Sequence, residues 1–445
     1  MSHRKREEEM NRGIWVLLAA MGCSPLQAAD LLDVYRQAQQ YDAAFASARA
    51  AYQAGLERLP QGRALLLPTL GLAADTTGNR VERGGATSQF NSNSYTLSLS
   101  QPIYRKQNFA QYQQAKSQTA QAGIQFDVAR QDLILRVAQA YFDVLLAQDN
   151  VDLAGAQKAA IAEQLAQAKR NFEVGTATIV DTHEAQARYD LATSQEIAAQ
   201  NDLEIKKRTL QQIIGRVPES LAALGEKLPL AVPEPNDMNK WVESSEQQNL
   251  QAQIQRQALE IANQELERQR GGHYPTLDLV ASYRDSSNAA ASFGFAGADI
   301  KSSAIGLQFN LPLYQGGAVN SRVREALANQ EKARQDLEQA VRQAALQTRQ
   351  GFLGVTSGIA QVRALEQALV SSQSSLDSTK LGQEVGVRTN VDVLNAQQQL
   401  YSARRDLFQA RYNYILSTLR LKAAVGTLTE ADLEQVNRWL ASGKR

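Results

Sequence analysis

A single cysteine, Cys23, stands in 445 residues, so the chain forms no internal disulfide and no cysteine-based metal cage. Its three histidines, His3, His183 and His273, are far apart in sequence, which argues against a histidine metal site and against a Cys–His nucleophile pair. Neither a GxxxxGK phosphate loop nor an HExxH zinc motif occurs. No catalytic, cofactor-binding or metal residue is therefore assigned, and no enzyme is expected. Aromatics make up only 6%, so any core leans on Ala and Leu. The formal charge is +1, from 47 Lys+Arg against 46 Asp+Glu, which gives no electrostatic reason to expect nucleic acid as a partner. No stretch approaches the roughly twenty consecutive apolar residues of a membrane-spanning helix. Prolines number ten; none falls between Gln107 and Gly215, and none after Pro312.

What is present begins with a short apolar run, Ile14 to Met21, preceded by Arg12 and followed by Ala28 and Ala29. A basic start, a short apolar run and a small-residue exit have the form of a secretory signal peptide, expected over 1–29 with cleavage near Ala28 or Ala29. Met10 offers a second start after the acidic run Glu7–Glu9, and Cys23 a lipidation site, although Ala20-Met21-Gly22 fits a lipobox poorly.

Both proline-free spans are rich in Ala, Gln, Leu, Glu and Arg and read as long helices with one interruption each. The last of them carries a heptad: Val393, Leu400, Leu407, Tyr414 and Leu421, with Ala396, Ala403, Ala410, Ser417 and Ala424 three residues on. Large residues on one line and small on the other let neighbouring helices approach closely. Ala185, Ala192 and Ala199 repeat the small seam in the first half.

The chain is also duplicated. Glu173-Val174-Gly175 recurs as Glu384-Val385-Gly386, and the same shift of 211 residues (173 to 384) aligns Asp181 with Asp392 and Gly215 with Gly426. Pro68-Thr69-Leu70 recurs as Pro275-Thr276-Leu277, and Pro102 as Pro312. Each copy contains period-two runs: Tyr95, Leu97 and Leu99 alternate with polar residues in the first, Ile305, Leu307, Phe309 and Leu311 in the second. Each run is about ten residues, the length of a tilted bilayer-crossing strand. Polar Gly- and Ser-rich loops are expected over about 82–92 and 288–301. Four strands close no useful barrel, and an open sheet in lipid leaves edges whose unpaired groups cost several kcal/mol each. Either the strands pack in water, or several chains share one barrel. Two chains give eight strands and three give twelve.

These features resemble the TolC family of outer-membrane channel-tunnels. The residues that carry the resemblance are LLPTLGL at 66–72, HYPTLDL at 273–279, LPLYQGGAVNSRV at 311–323, VGVRTNVDVLNA at 385–396 and ARYNYILSTLRLKAAVGTL at 410–428. The resemblance implies a mainly α fold with a small β part. It implies a homotrimer in the outer membrane with a shared twelve-stranded β-barrel, and a long α-helical coiled-coil barrel through the periplasm. Each chain would then comprise the signal segment 1–29 and a first repeat 30–215, with a helix, a strand pair about 66–104 and long helices about 105–172 and 178–215. An equatorial linker, 216–245, would follow. A second repeat, 246–427, would hold a helix, a strand pair about 274–314 and long helices about 317–382 and 389–425, before a C-terminal equatorial segment, 428–445. The implied function is a passive exit duct for drugs, secreted proteins or both. Its implied partners are a periplasmic adaptor of the membrane fusion protein class, an inner-membrane RND or ABC transporter, and outer-membrane lipid.

The turns at Gly175 and Gly386 lie farthest from the strands. Thr178-x-x-Asp181 and Thr389-x-x-Asp392 have the spacing of helix capping boxes, which by itself accounts for an acid there. The resemblance adds an entrance ring at Asp392 and Asn395, and gate links at Asp181, Arg388 and Gln383. Family members carry a second aspartate where Asn395 stands and a tyrosine where Gln383 stands. The ring is therefore expected to carry three carboxylates per trimer rather than six. A soluble periplasmic coiled-coil scaffold is the competing reading, and the apolar-faced hairpins discriminate against it, because such a scaffold needs none.

Overall fold

The computed structural model describes residues 28–218, 220–225, 228–288 and 298–440. The expected signal segment up to residue 27, with Met10 and Cys23, lies outside the described residues, as do 289–297 of the second loop and the last five residues.

Three short helices, α1 (Leu31–Tyr41), α2 (Ala43–Leu56) and α3 (Arg58–Ala64), lead to the strands β1 (Thr69–Arg83) and β2 (Ala86–Tyr104). Then come α4 (Lys106–Glu173) and α5 (Ile179–Ile214). The second half repeats the order with α6 (Met238–Gln248), α7 (Leu250–Arg270), β3 (Thr276–Asn288), β4 (Ala298–Asn310), α8 (Ala318–Glu384) and α9 (Asn390–Val425), and ends on α10 (Glu430–Asn437). Helices α4 and α8 have 68 and 67 residues, about 100 Å each at 1.5 Å per residue.

The strands form one antiparallel sheet in the order β1-β2-β3-β4. Register sorts its side chains onto two faces. One row runs Leu72–Leu97–Tyr283–Ser303 and the next Leu70–Leu99–Ala281–Ile305; Leu279–Leu307 and Leu277–Phe309 continue it. The opposite face carries rows such as Gly71–Ser98–Ser282–Ala304 and Ala73–Thr96–Arg284–Ser302. Tyr95 and Tyr283 end the apolar band on one side and Tyr104 on the other. Nine residues separate Tyr95 from Tyr104, about 30 Å along the strand and about 23 Å in height at a 40° tilt. That is the height of an apolar barrel belt with aromatic girdles. Leu72, Ile305, Leu307 and Phe309 are all exposed in the single chain.

The strands are longer than a bilayer requires. The loop expected over 82–92 is instead strand, broken only by Gly84-Gly85, both at positive φ (58° and 85°). Two glycines in that region make the tight hairpin turn whose twist matches the strands. Above the belt this hairpin is polar on its outer face, with Arg80 opposite Gln89 and Gly78 opposite Asn91.

The main core lies at mid-length, where α1, α6, α10 and the segments 220–225 and 228–231 wrap α4 and α9. Leu133, Ile134, Val137, Tyr141 and Phe142 of α4 meet Tyr412, Ile415, Leu416 and Leu419 of α9 there, all buried. Tyr141 donates its hydroxyl to the Ala222 carbonyl (2.7 Å), and Tyr414 accepts from the Ala231 amide (3.0 Å), tying the irregular segment to the helices. Below this belt the wall is thin, and small clusters hold it: Leu394 with Ile161, Leu165, Ala185 and Ala192, and Leu376 with Val393 and Leu400. The heptad positions Val393, Leu400, Leu407, Tyr414 and Leu421 are all buried, which is the burial a helix seam requires.

Candidate functional site

The far ends of the long helices form two turns with one backbone. Val174 and Val385 share φ −89° and ψ 3°. Gly175 and Gly386 follow at φ 75° and 79°, the left-handed region that glycine occupies without a Cβ clash. The Asn171 carbonyl accepts from the amides of Thr176 (2.8 Å) and Ala177 (3.2 Å); the Gly382 carbonyl accepts from Val387 (2.9 Å) and Arg388 (3.1 Å). Helix restart is also shared. Thr178 donates its amide (3.0 Å) and hydroxyl (2.7 Å) to Asp181 Oδ2, and Thr389 donates both to Asp392 Oδ2 at 2.9 Å. Both capping boxes are complete.

Side chains separate the two turns. Asn171 and Ala177 in the first become Gly382 and Arg388 in the second. The exchange is steric: a Cβ on Gly382 would lie 2.7 Å from Arg388 Cγ. Arg388 therefore lies back over its own turn. The two bonds from Thr389, amide first and hydroxyl second, hold the Asp392 carboxyl below the usual aspartate range, and the nearby Arg388 charge adds to them. Gln383 donates across the turn to Asn390 Oδ1 at 3.4 Å.

Among the described residues, Asp181 and Arg388 make no bond to each other within one chain. Asp181 is held by Thr178, and among the described residues neither aspartate's Oδ1 has a hydrogen-bond partner. Asn395 accepts instead from Arg188 Nη2 (3.0 Å), a residue of α5 that also lies 3.8 Å from Glu184. This bond joins the two helix pairs at the tip. Sequence reasoning passed over Arg188; its one local signal is the Glu184–Arg188 spacing of four on a helix that starts at the turn.

Farther from the turns, two helix ends meet at each of two elbows. At the first, Asp42 separates α1 from α2, accepts from the Phe45 amide (2.7 Å) and receives both Arg136 Nη1 (2.8 Å) and Nη2 (3.0 Å). Arg136 donates first of all to Asp42, which keeps its guanidinium charged and the Asp42 carboxyl below the usual range. At the second elbow, Asn249 separates α6 from α7, accepts from the Ala252 amide (3.0 Å) and donates to the Ala424 carbonyl (2.7 Å) near the end of α9. Where sheet meets helix, Arg105 donates Nε (2.8 Å) and Nη2 (2.6 Å) to the buried Asp278. No group of three or more His, Cys, Asp or Glu able to hold a metal is found among the described residues.

This architecture has close relatives. The sequence matches the "Outer membrane efflux protein" family twice, over residues 34–216 and 241–427, one match per half. It is 36% identical to outer membrane protein TolC of Vibrio cholerae over 430 residues, covering 96% of this chain and 98% of that one. It is 34% identical to the alkaline protease secretion protein AprF of Pseudomonas aeruginosa, covering 93% and 88%. Its fold superimposes on the crystal structure of the outer membrane protein VceC of Vibrio cholerae with a TM-score of 0.77 at 20% identity, covering 89% and 96%.

Proposed function

The chain belongs to the outer membrane efflux protein family, and from that premise we infer how the assembled duct works. The protein is an outer-membrane exit duct that extends into the periplasm. Its sheet sits in the membrane as part of a barrel shared by three copies, and its long helices form the wall of a tunnel. One observation carries this reading: helices of about 100 Å are joined to a sheet with an apolar belt about 23 Å high on one face, and that belt is what no soluble scaffold needs. Cargo is small molecules and secreted proteins; the family is described by efflux and AprF by protease secretion. An inner-membrane transporter of the RND or ABC class, reached through a periplasmic adaptor, supplies that cargo.

The turns form the periplasmic entrance. Three Asp392 carboxylates, with Oδ1 free and the pKa depressed, make a ring that binds cations, and Asn395 sits beside it as a neutral member tied to Arg188. Gate links run between protomers: Arg388 of one copy reaches Asp181 Oδ1 of another, and Gln383 stiffens the turn that presents it. Such exposed pairs are worth about 0–1 kcal/mol each, and threefold repetition brings the set to about 0–3 kcal/mol. Arg388→Ser then raises single-channel conductance while the trimer stays intact; unchanged conductance would remove Arg388 from the latch. The function itself is tested in cells lacking their own outer-membrane exit duct. Expression of this chain restores growth on an exported antibiotic, and no restoration despite outer-membrane insertion would count against the reading.

A further inference from the structure

A cavity of about 680 Å³ opens at the second elbow, where α9 ends and α7 begins, with α4 and α8 on its flanks. The duplication accounts for it. Asp42 recurs as Asn249 after 207 positions, the shift of Pro68 to Pro275, and Arg136 recurs as Gln347 after 211. At the first elbow the Arg136 guanidinium reaches across to Asp42. At the second, Asn249 turns its amide to the Ala424 carbonyl, and Asn249 and Gln347 line the cavity without bonding each other. Half-buried Leu135, Leu250, Ala423 and Ala424 give it an apolar floor. Gln251, Gln347 and Gln350 stand at its exposed rim, and among the described residues none of their side chains has a hydrogen-bond partner. The rim carries two charges. Asp132 accepts from Arg136 Nε (2.7 Å), so its charge is met. Arg420 donates Nη2 to the neutral Gln139 (2.6 Å) and forms no ion pair among the described residues.

We propose that this cavity binds a small amphiphilic organic anion, with its apolar body on the floor of Leu135 and Leu250, its carboxylate or sulfonate on Arg420, and its neutral polar groups on the three glutamine amides. The volume suits this class, since sites for drug-sized molecules span roughly 300–1,000 Å³ and are mostly apolar with a few convergent polar groups. The sign follows from Arg420, whose remaining N–H donors form charge-assisted bonds to an anion and repel a cation. The mouth faces away from the main core. At 3.6 residues per turn, Gln131, Asp132 and Leu135 lie roughly 130° around α4 from Ile134, Val137 and Tyr141. On α9, Ser417, Arg420 and Ala424 lie as far from Ile415, Leu416 and Leu419. A duct keeps its bore clear, so the belt lies outside and the cavity opens on the tunnel, a placement that rests on the duct reading above. Neighbouring copies leave it open: α8 turns its Gly354 side to α9, where a Cβ would lie 3.8 Å from Ser417 Oγ, and the opposite side of α8 remains for the next copy.

Binding is read on the full chain purified in lipid nanodiscs, by the fluorescence of dansylglycine, an aromatic carboxylate, and of dansylamide, its neutral analogue. Wild type is expected to bind one dansylglycine per chain, and dansylamide about tenfold more weakly or worse, the worth of a charge-assisted bond. Arg420→Gln lowers dansylglycine affinity to the dansylamide level and leaves dansylamide unchanged. Gly354→Leu, which fills the cavity, removes binding of both probes. So does Gln347→Trp, which covers the cavity from an exposed rim position. Equal dansylglycine affinity in wild type and Arg420→Gln overturns the anion assignment. Full binding by either filled variant places the probe elsewhere and overturns the cavity. Absence of saturable binding by wild type overturns the proposal outright. None of these readouts requires transport, so they stand apart from growth on an exported antibiotic, which tests the duct.

Discussion

The two halves of the chain keep one backbone and two sets of polar bonds. At the far turns and the helix ends the halves agree: Gly175 and Gly386 in the turns, Gly215 and Gly426 at the helix ends, Thr178–Asp181 and Thr389–Asp392 at the restarts; at the start of the long helices they part, with Gly316 and Gly317 at positive φ before α8 and an extended Arg105 before α4. Wherever a side chain braces two elements, they differ. Asp42 with Arg136 stands in one elbow and Asn249 with Ala424 in the other. Arg105 with Asp278 has no counterpart at Gln315 and Gly71. Backbone geometry tolerates one or two residue types at such a position, whereas a brace can be built in several ways. The duplicated unit therefore fixes shape, and its divergence tunes where the wall is stiff.

The largest expected effect separates the two helix-end glycines. Gly426 sits at φ 94° against the Gln248 main chain, and a Cβ would overlap the Gln248 carbonyl oxygen. Gly215 sits at φ 82° against the Tyr41 ring, with the nearest ring atom 2.6 Å from a Cβ. Both alanine variants carry the positive-φ cost of about 1–2 kcal/mol. Only Gly426→Ala must also move backbone, since the exposed Tyr41 ring can swing away. Gly426→Ala is expected to cost about 3–4 kcal/mol and Gly215→Ala about 1–2. Thermal unfolding of the trimer measures both, and equal losses would break the comparison.

A smaller and pH-dependent difference divides the elbows. Arg136 holds the Asp42 carboxyl below its ordinary pKa, so that brace is fully present above the unfolded value of about 3.9 and is lost as pH falls through the folded value. Asn249 does not titrate. Asp42→Asn is expected to cost about 1.5–3 kcal/mol at neutral pH and little in acid. Asn249→Ala, losing a cap and a carbonyl bond, costs about 1–2 kcal/mol at every pH. Melting curves at neutral pH and below pH 4 separate them, and an acid-insensitive Asp42→Asn deficit would show that the charge is not what Asp42 contributes.

The same division explains what the sequence discloses. Proline-free stretches and a heptad announce the long helices, because helix propensity and seam burial are local, periodic properties. The lower parts of the strands announce themselves by alternation, because lipid and lumen impose opposite chemistry on successive residues. Residues 86–92 give no such signal: both faces of that hairpin meet polar surroundings, so a strand reads as a loop. The capping boxes are legible from a spacing of three. The braces are not, since Asp42–Arg136, Arg105–Asp278 and Arg188–Asn395 join residues 94, 173 and 207 positions apart. Nothing local in the sequence announces these partners: Arg188 carries only its spacing of four from Glu184, a pattern common on wet helix faces, and Arg136 and Arg105 find theirs on other elements.

The smallest effect concerns the two tip aspartates, which are equivalent in sequence and in their caps. Each closes the same capping box with its threonine N-cap, so Asp181→Ala and Asp392→Ala should lower the melting temperature alike. They should differ in current block. In the entrance reading, Asp392 turns toward the axis and Asp181 toward a neighbouring Arg388. A multivalent cation added from the periplasmic side then meets three Asp392 carboxylates in a constriction. Removing them is expected to weaken block about tenfold. Asp181→Ala leaves block near its original strength. Because the Thr389 bonds depress the Asp392 pKa, block should also persist as pH falls to the ordinary carboxylate value and fade only below it. High salt weakens block in either case, since the ring is wet and screened. If both variants weaken block equally, the ring is shared between the two turns, and the asymmetry seen at Gly382 and Arg388 has no consequence for ions.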